Sequence, residues 1–341
     1  METIDSVRDR AGAPMIEVRG LARTFTTKTG PVAAVTGVDF DVHDGEILGL
    51  LGPNGAGKTT TLRMLSTLIA PTSGEATIAG ADLRAEPRIV RARIGYVAQG
   101  GTTNENELVL DELVLQARLF GLSKAQARAN AEELLVALDL AGLGGRKCGQ
   151  LSGGQRRRVD IALGLVHGPR LIYLDEPTTG LDPQSRANLW EHIRRLRERG
   201  TTVVLTTHYL EEADALCDRL LVMDHGGIVA DGSPDELKRR ISGDVVSLEI
   251  DDASADLAIE VAREVLEVRS LVSADGVDDT HTGMTLVHLT VERGDAAVVP
   301  LLRALDERGL APGALTVKRP SLDDVFLTIT GRSLREGARA S

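Results

Sequence analysis

Apolar and polar residues alternate in IEVRGLARTF (16–25), the same period of two returns in VTGVDFDV, and EILGLLG follows as a third strand-like segment. Turn-forming Gly, Lys, Thr and Asp separate these segments, which predicts three strands across residues 16–50. The last strand runs into GPNGAGKTT, and KTTTLRMLSTLIA then reads as a helix ended by Pro71. EATIAG and RIGYVAQ predict two further strands. From about 105 to 168 the period changes: LVLDELVLQARLFGL, KAQARANAEELLVALDL and GQRRRVDIALGLVHG space apolar residues at three and four, as helices do.

Residues 171–174, Leu-Ile-Tyr-Leu, have no polar partner in the alternation, which marks a parallel strand covered on both faces. A helix from Pro183 to Arg199, the strand TTVVLTTH, the helix YLEEADALC and the strands RLLVMDHG and GIVADG follow. This order predicts a mainly parallel α/β sheet with an antiparallel portion near the N-terminus. SPDELKRRISGD reads as a closing helix and linker. Beyond it VVSLEI, ADLAIEVAREVLEV, SLVSA, MTLVHLTVE, AAVVPLLRALDERG and ALTVKRP read as β-α-β-β-α-β, a ferredoxin-like unit. That unit has no glycine loop and no cluster of catalytic side chains, so it is expected to dock or regulate.

Two domains suit 341 residues that are 42% hydrophobic and 26% charged. A net charge of −11 and an aromatic content of 2% argue against a nucleic-acid partner, which would need phosphate neutralisation or stacking platforms. Cys148 and Cys217 show no metal-ligand spacing and read as ordinary reduced thiols. METIDSVRDRAGAP lacks the apolar core of a signal peptide, and no apolar run reaches the ~18–20 residues that cross a bilayer. A soluble chain is expected, with any membrane role exercised through a partner.

Gly52, Pro53, Asn54, Gly55, Ala56, Gly57, Lys58 and Thr59 fit the phosphate-loop pattern G-x-x-x-x-G-K-[ST] between a strand and a helix. Glycines there turn backbone N–H groups toward phosphates at the positive end of a helix. Lys58 adds charge, the Thr59 hydroxyl reaches Mg2+, and Thr60 offers another donor. Asp175 and Glu176 end the buried strand, where side chains project into the phosphate crevice. Asp175 is placed to hold Mg2+, and Glu176 to accept a proton from attacking water. An Asp-Glu pair at a strand end is otherwise a solvated feature. His208, closing TTVVLTTH, would approach the γ-phosphate, and Gln99 would contact Mg2+ or the water.

A second glycine turn, Ser152-Gly153-Gly154, opens a helix with no strand before it. Ser152 is a natural N-cap and the glycines bare backbone N–H groups, as in a second anion site. One nucleotide cannot easily occupy both turns on one chain. Two chains paired head to tail would each offer this turn to the other's γ-phosphate; the alternative is a helix cap that touches nothing. The run Arg156–Arg158 reads as a solvated basic face.

Taken together the motifs resemble the ATPase subunit of an ABC transporter: GPNGAGKT (52–59), the Q-loop Gln99, the signature LSGGQ (151–155), LIYLDE (171–176), the D-loop GLD (180–182) and the switch His208. The resemblance implies a P-loop ATPase fold over 16–240, with a helical subdomain at about 100–168. A C-terminal accessory domain would span 245–331, between a flexible 1–15 and a tail 332–341. It implies ATP and Mg2+ as cofactors, Gln155 beside the nucleotide within the signature, Phe25 stacked on adenine, and Asp182 linking two sites across an ATP-dependent homodimer. The stretch after Gln99, to about residue 120, would carry the groove for a permease.

A narrower likeness joins THYLEEAD (207–214) and SLDDVFLTITG (321–331) to ATPases of daunorubicin-type drug exporters, which work with a separate six-helix permease. It implies a peripheral protein on the cytoplasmic face of the cell membrane, whose tail domain serves dimer contact or permease assembly. Lipid, polysaccharide or peptide cargo is the alternative. An ABC ATPase acting on DNA or ribosomes would bring coiled-coil or zinc insertions, tandem halves and a basic face, and a non-catalytic switch would lack Glu176 and His208.

Overall fold

The alternating segments at the start become a hairpin, β1 (Ile16–Thr27) and β2 (Gly30–Val42). Ile16, Val18 and Leu21 face the core, so the alternation slips one residue. The slip is a bulge at Gly20, whose φ of 57° admits the extra residue. Next come β3 (Ile47–Leu51), α1 (Lys58–Leu65), β4 (Ser73–Ile78), β5 (Ala81–Asp82), α2 (Pro87–Arg93) and β6 (Ile94–Val97). The first sheet has the order β2-β1-β4-β5 with antiparallel pairing. A Cβ at Gly74 would lie 2.2 Å from the Gly20 carbonyl oxygen, so glycine alone lets β4 approach the bulge. The structure, a computed structural model, describes residues 14–241, 243–275, 284–318 and 321–330; the expected flexible start and the 332–341 tail lie essentially outside these.

Helices α3 (Val109–Leu119), α4 (Lys124–Ala137) and α5 (Gly153–Leu165) pack on one another. The seam of α4 is Ala127, Ala131 and Leu135, four residues apart on one face. Then follow β7 (Leu171–Asp175), α6 (Pro183–Glu198), β8 (Thr202–Thr207), α7 (Leu210–Leu216), β9 (Arg219–Asp224) and β10 (Gly227–Gly232). The second sheet runs β10-β9-β3-β8-β7-β6, and its β9-β3-β8-β7-β6 part is parallel. Strands β3, β7 and β8 are buried at every position, as helices on both faces require. One core joins Val42 and Ile78 of the first sheet to Leu62 and Leu65 of α1 and to Leu50, Tyr173, Val204 and Leu221 of the second.

Contacts divide the chain into two units between Asp231 and Gly232. The second unit contains α8 (Pro234–Ile241), β11 (Asp244–Asp251), α9 (Ala255–Val265), β12 (Val268–Asp275), β13 (Met284–Val291), α10 (Gly294–Glu307), β14 (Ala314–Lys318) and α11 (Leu322–Thr330). Its antiparallel sheet has the order β12-β13-β11-β14, the split β-α-β arrangement expected. Val246, Leu248, Val287 and Leu289 meet Val261, Leu301 and Leu305 of α9 and α10 in a separate core. Helix α8, read from sequence as closing the first domain, packs instead against α11.

Candidate active site

Helix α1 starts at Lys58 because Gly57 caps it in a left-handed conformation, φ 101°. No other residue fits there: a Cβ would stand 2.6 Å from the Ala34 carbonyl oxygen. Gly226, in the β9–β10 turn, donates to the Ala56 carbonyl and ties the loop to the sheet. Lys58 is buried, and its Nζ donates to the carbonyls of Gly52 at 2.7 Å and Pro53 at 2.9 Å. Burial lowers its pKa, opposed by the charges of Glu176 and Asp175. Asn54 and Gly55 are exposed at the loop tip, and Thr59 and Thr60 are half-buried behind it.

Asp175 closes β7 at 1% exposure. Its Oδ1 accepts from Thr59 Oγ1 at 2.9 Å and Thr206 Oγ1 at 2.7 Å, and its Oδ2 from the Tyr96 hydroxyl at 3.4 Å. Glu176 departs from strand geometry, with φ 44°. This left-handed turn costs roughly 1–2 kcal/mol in a residue with a Cβ. The Thr206 hydroxyl, accepting from the Glu176 N–H at 2.9 Å, helps hold it.

The turn aims the Glu176 carboxylate at three partners. Gln99 Nε2 donates to Oε2 at 2.8 Å, and Thr179 Oγ1 donates to the same oxygen at 3.0 Å. His208 Nδ1 lies 3.3 Å from Oε1, close enough to pair yet out of line for a full hydrogen bond. Burial pushes the Glu176 pKa up, but His208, Thr179 and the Lys58 charge together pull it below its ordinary value. The group is therefore a carboxylate at neutral pH, boxed by an amide, a hydroxyl and an imidazole.

The predicted signature residues stand elsewhere. Ser152 caps α5, its hydroxyl accepting from the Gln155 N–H at 3.3 Å while Gln155 Oε1 accepts from the Ser152 N–H at 3.0 Å. This reciprocal pair is a capping box. Asp182 caps α6 without that reciprocity, its carboxylate accepting from Ser185 N–H at 2.9 Å and Ser185 Oγ at 2.7 Å. The two caps are neighbours: a Cβ on Gly154 would lie 2.9 Å from Ser185 Oγ. Among the described residues no hydrogen bond joins Ser152, Gly153, Gly154, Gln155 or Asp182 to the phosphate loop. Phe25 is half-buried opposite Val32, with the Arg23 guanidinium 4.6 Å above its ring.

The solvated reading of Arg156–Arg158 fails at Arg157, which is 7% exposed. Its guanidinium donates to the carbonyls of Ala98 at 2.7 Å, Pro177 at 2.8 Å and Asp175 at 3.1 Å. Only its neighbours face outward, Arg156 to Glu105 at 2.9 Å and Arg158 to Asn188 at 2.8 Å. Sequence reasoning also passed over Tyr96, Thr179 and Thr206, whose hydroxyls serve the two carboxylates. Their signal was position alone: Tyr96 lies three residues before Gln99, and Thr206 two before His208. Both cysteines are buried and free; Cys148 donates to Glu112 Oε2 at 3.0 Å, and burial pushes its pKa up to about 12.

Over 310 residues, 91% of this chain, the sequence is 43% identical to a daunorubicin resistance ATP-binding protein of Streptomyces coeruleorubidus, covering 94% of that protein. The chain belongs to the ATP-binding subunits of ABC transporters. Residues 35–179 match the ABC transporter family, and residues 232–330 the C-terminal domain of DrrA1-3-like ATP-binding proteins. A doxorubicin resistance ATP-binding protein of Mycobacterium tuberculosis is 41% identical over 92% of this chain and 93% of its own. A Nod factor export ATP-binding protein of Burkholderia orbicola is 38% identical over 92% of this chain and 97% of its own.

Among solved structures, a dimeric ATP-binding cassette in a post-hydrolysis state with ADP and Pi superposes with a TM-score of 0.59 at 28% identity. The match takes in 64% of this chain and 98% of that one. This ABC ATP-binding subunit is accordingly an ATPase, and ATP is its nucleotide. Among the described residues no helix is long and apolar enough to cross a membrane.

Proposed function

We propose that this ATPase works as a head-to-tail homodimer, on the cytoplasmic face of the membrane, to drive export of an apolar, drug-like compound through a separate six-helix permease. The observation that carries the reading is a separation. Lys58, Thr59, Asp175, Glu176, Gln99 and His208 converge on one place, while Ser152–Gln155 and Asp182 form a second surface that, among the described residues, has no hydrogen bond to the first. A second chain, turned about a two-fold axis, would lay its α5 N-terminus on the γ-phosphate held by the first chain's loop.

Within each half-site Glu176 takes the proton of the attacking water, and its ionised state at neutral pH suits that task. Gln99 and His208 orient the water and the terminal phosphate. Lys58 turns from its loop carbonyls to the phosphate oxygens. Phe25 stacks on adenine, and Thr60 adds a hydroxyl donor beside Thr59. The Thr59 hydroxyl and the Asp175 carboxylate, two hard oxygen donors held together, suit Mg2+, with Gln99 as a third oxygen. Bound there, Mg2+ neutralises charge on the terminal phosphates. ATP favours the paired form because only that form grips it from both sides.

Drug cargo is supported by the relatives named for daunorubicin and doxorubicin resistance and by the shared C-terminal domain, which would serve assembly with the permease or the twin chain. Nod factor export, named for the 38% relative, supports the second reading, a different exported cargo. The test is accumulation of an anthracycline in cells carrying the chain with its neighbouring permease. Lower accumulation that reverts with Glu176→Gln supports drug export. Unchanged accumulation, despite ATPase activity in the purified chain, removes drugs as the cargo.

A further inference from the structure

Four backbone carbonyls converge on Arg157. Nη1 donates to Ala98, Nε to Pro177, and Nη2 to Asp175 and, at 3.4 Å, to Glu176. Ala98 precedes Gln99, and the other three bracket Glu176. Glu176 is the residue with the left-handed backbone; its N–H is held by Thr206, and its carbonyl by Arg157. One helical turn along α5, Asp160 Oδ1 accepts from Thr102 N–H at 2.8 Å and Thr103 N–H at 3.2 Å. The Gln99 loop is thus fastened at both ends to one helix. It runs so close that a Cβ on Gly101, at φ 73°, would lie 2.7 Å from Asp160 Oδ2.

A planar guanidinium is the only side chain whose donors reach several carbonyls in one plane. A lysine would serve one or two. We infer that Arg157 is a positioning residue for hydrolysis: it registers Glu176 and Gln99 against the helix that begins at Ser152, so that engagement of the α5 N-terminus by the partner chain's nucleotide is transmitted to the carboxylate of the same chain. The inference rests on the reading of Glu176 as the base.

The experiment uses the full-length chain and compares Arg157→Gln, Glu176→Gln and the double variant. Arg157→Gln is expected to lower kcat by about tenfold or more with ATP affinity held within about twofold, since only the reacting geometry is lost. On the Glu176→Gln background it should cause no further loss, because both changes act through one group. A kcat within about threefold of the parent overturns the inference, as does a full-sized loss on the Glu176→Gln background, which would mark a merely structural arginine.

Should Arg157→Gln not fold, Arg157→Lys and Asp160→Asn take its place. Arg157→Lys should restore less than half the lost kcat, and Asp160→Asn should add nothing to a Gln99→Ala loss; full activity in either sinks the idea. Unchanged turnover in Glu176→Gln alone would remove the base assignment, whereas a slow but measurable Glu176→Gln beside a fully active Arg157→Gln would remove only the positioning role.

Discussion

Thr59 Oγ1 donates a 2.9 Å hydrogen bond to Asp175 Oδ1, although 116 positions separate them in the chain. Thr59 is the second residue of α1 and Asp175 the last of β7, and β8 lies between β3 and β7 in the sheet. Thr206 of β8 donates to the same oxygen. The carboxylate therefore sits where three parallel strands end, the crevice in which open α/β sheets hold ligands.

Asp175→Asn tests what that carboxylate holds. The amide keeps an oxygen for Thr59 and Thr206 but gives up the charge. ATP affinity in EDTA should stay within about threefold of the parent, while the gain on adding Mg2+ should vanish, measured with a fluorescent nucleotide. An equal Mg2+ gain in parent and variant would remove Asp175 as a metal residue.

Glu176 sets a pH prediction. Its folded pKa is lowered, burial opposing and His208, Thr179 and Lys58 prevailing. A depressed carboxylate contributes stability above its unfolded pKa and loses it as pH falls through the folded value. Activity should follow the same sense, with an acid limb of kcat below the ordinary glutamate range. His208→Ala withdraws the leading favourable interaction, so the limb should move to higher pH while circular dichroism shows the fold intact. A limb that stays put would mean that the 3.3 Å approach of these groups has no electrostatic weight.

The two-chain site is best probed at Gly153. A Cβ added at Gly154 would press on Ser185 of its own chain, so any side chain there disturbs the α5–α6 contact. At Gly153 a Cβ would meet only Leu181, 3.9 Å away. Aspartate at the first turn of a helix suits the helix dipole, so Gly153→Asp should leave the monomer's stability within about 1 kcal/mol. It would still set a negative charge against a partner's γ-phosphate. ATP-dependent dimerisation of a Glu176→Gln chain, followed by light scattering, should disappear with ATP binding retained. Normal pairing would defeat the two-chain site.

Residues that act through their own short stretch of chain were legible before the structure. Gly57 and Lys58 declare a strand-loop-helix turn by spacing alone, and Ser152 declares an N-cap by residue type and place, although the reciprocal bond from Gln155 was not read. Arg157 was not legible, because three consecutive arginines differ only in which face of α5 ends up covered, a property of distant β6 and β7. Helix α1 was expected to reach Pro71 but ends at Leu65: Thr67 turns left-handed at φ 62°, and Leu68 and Ile69 both donate back to the Arg63 carbonyl. Helix α11 was hidden by the β-branched Val, Thr and Ile of LDDVFLTIT, whose strand preference is overridden by its packing on α8.

Glu212 carries the last prediction. It is buried on α7, accepting from Trp190 Nε1 at 3.2 Å, while among the described residues its Oε2 and the nearby Thr178 Oγ1 are buried with no well-aligned hydrogen bond, close enough for the hydroxyl to act on the carboxylate but out of line for a full bond. Burial raises its pKa, against smaller pulls from Thr207, Thr178 and Trp190. A raised carboxyl binds its proton more tightly in the native chain than in the unfolded one. Its contribution is complete below the unfolded pKa and is lost as pH rises through the folded value. Glu212→Gln imitates the protonated form at every pH and offers an N–H to Thr178. Thermal melts should therefore coincide for parent and variant at acid pH and separate as pH rises, the variant being the more stable at neutrality. A gain of about 1 kcal/mol would appear as roughly 2–4 °C in a domain of this size. A variant less stable than the parent at neutral pH would mean that the buried carboxylate is held charged by its surroundings, and the burial argument for Glu212 would fall.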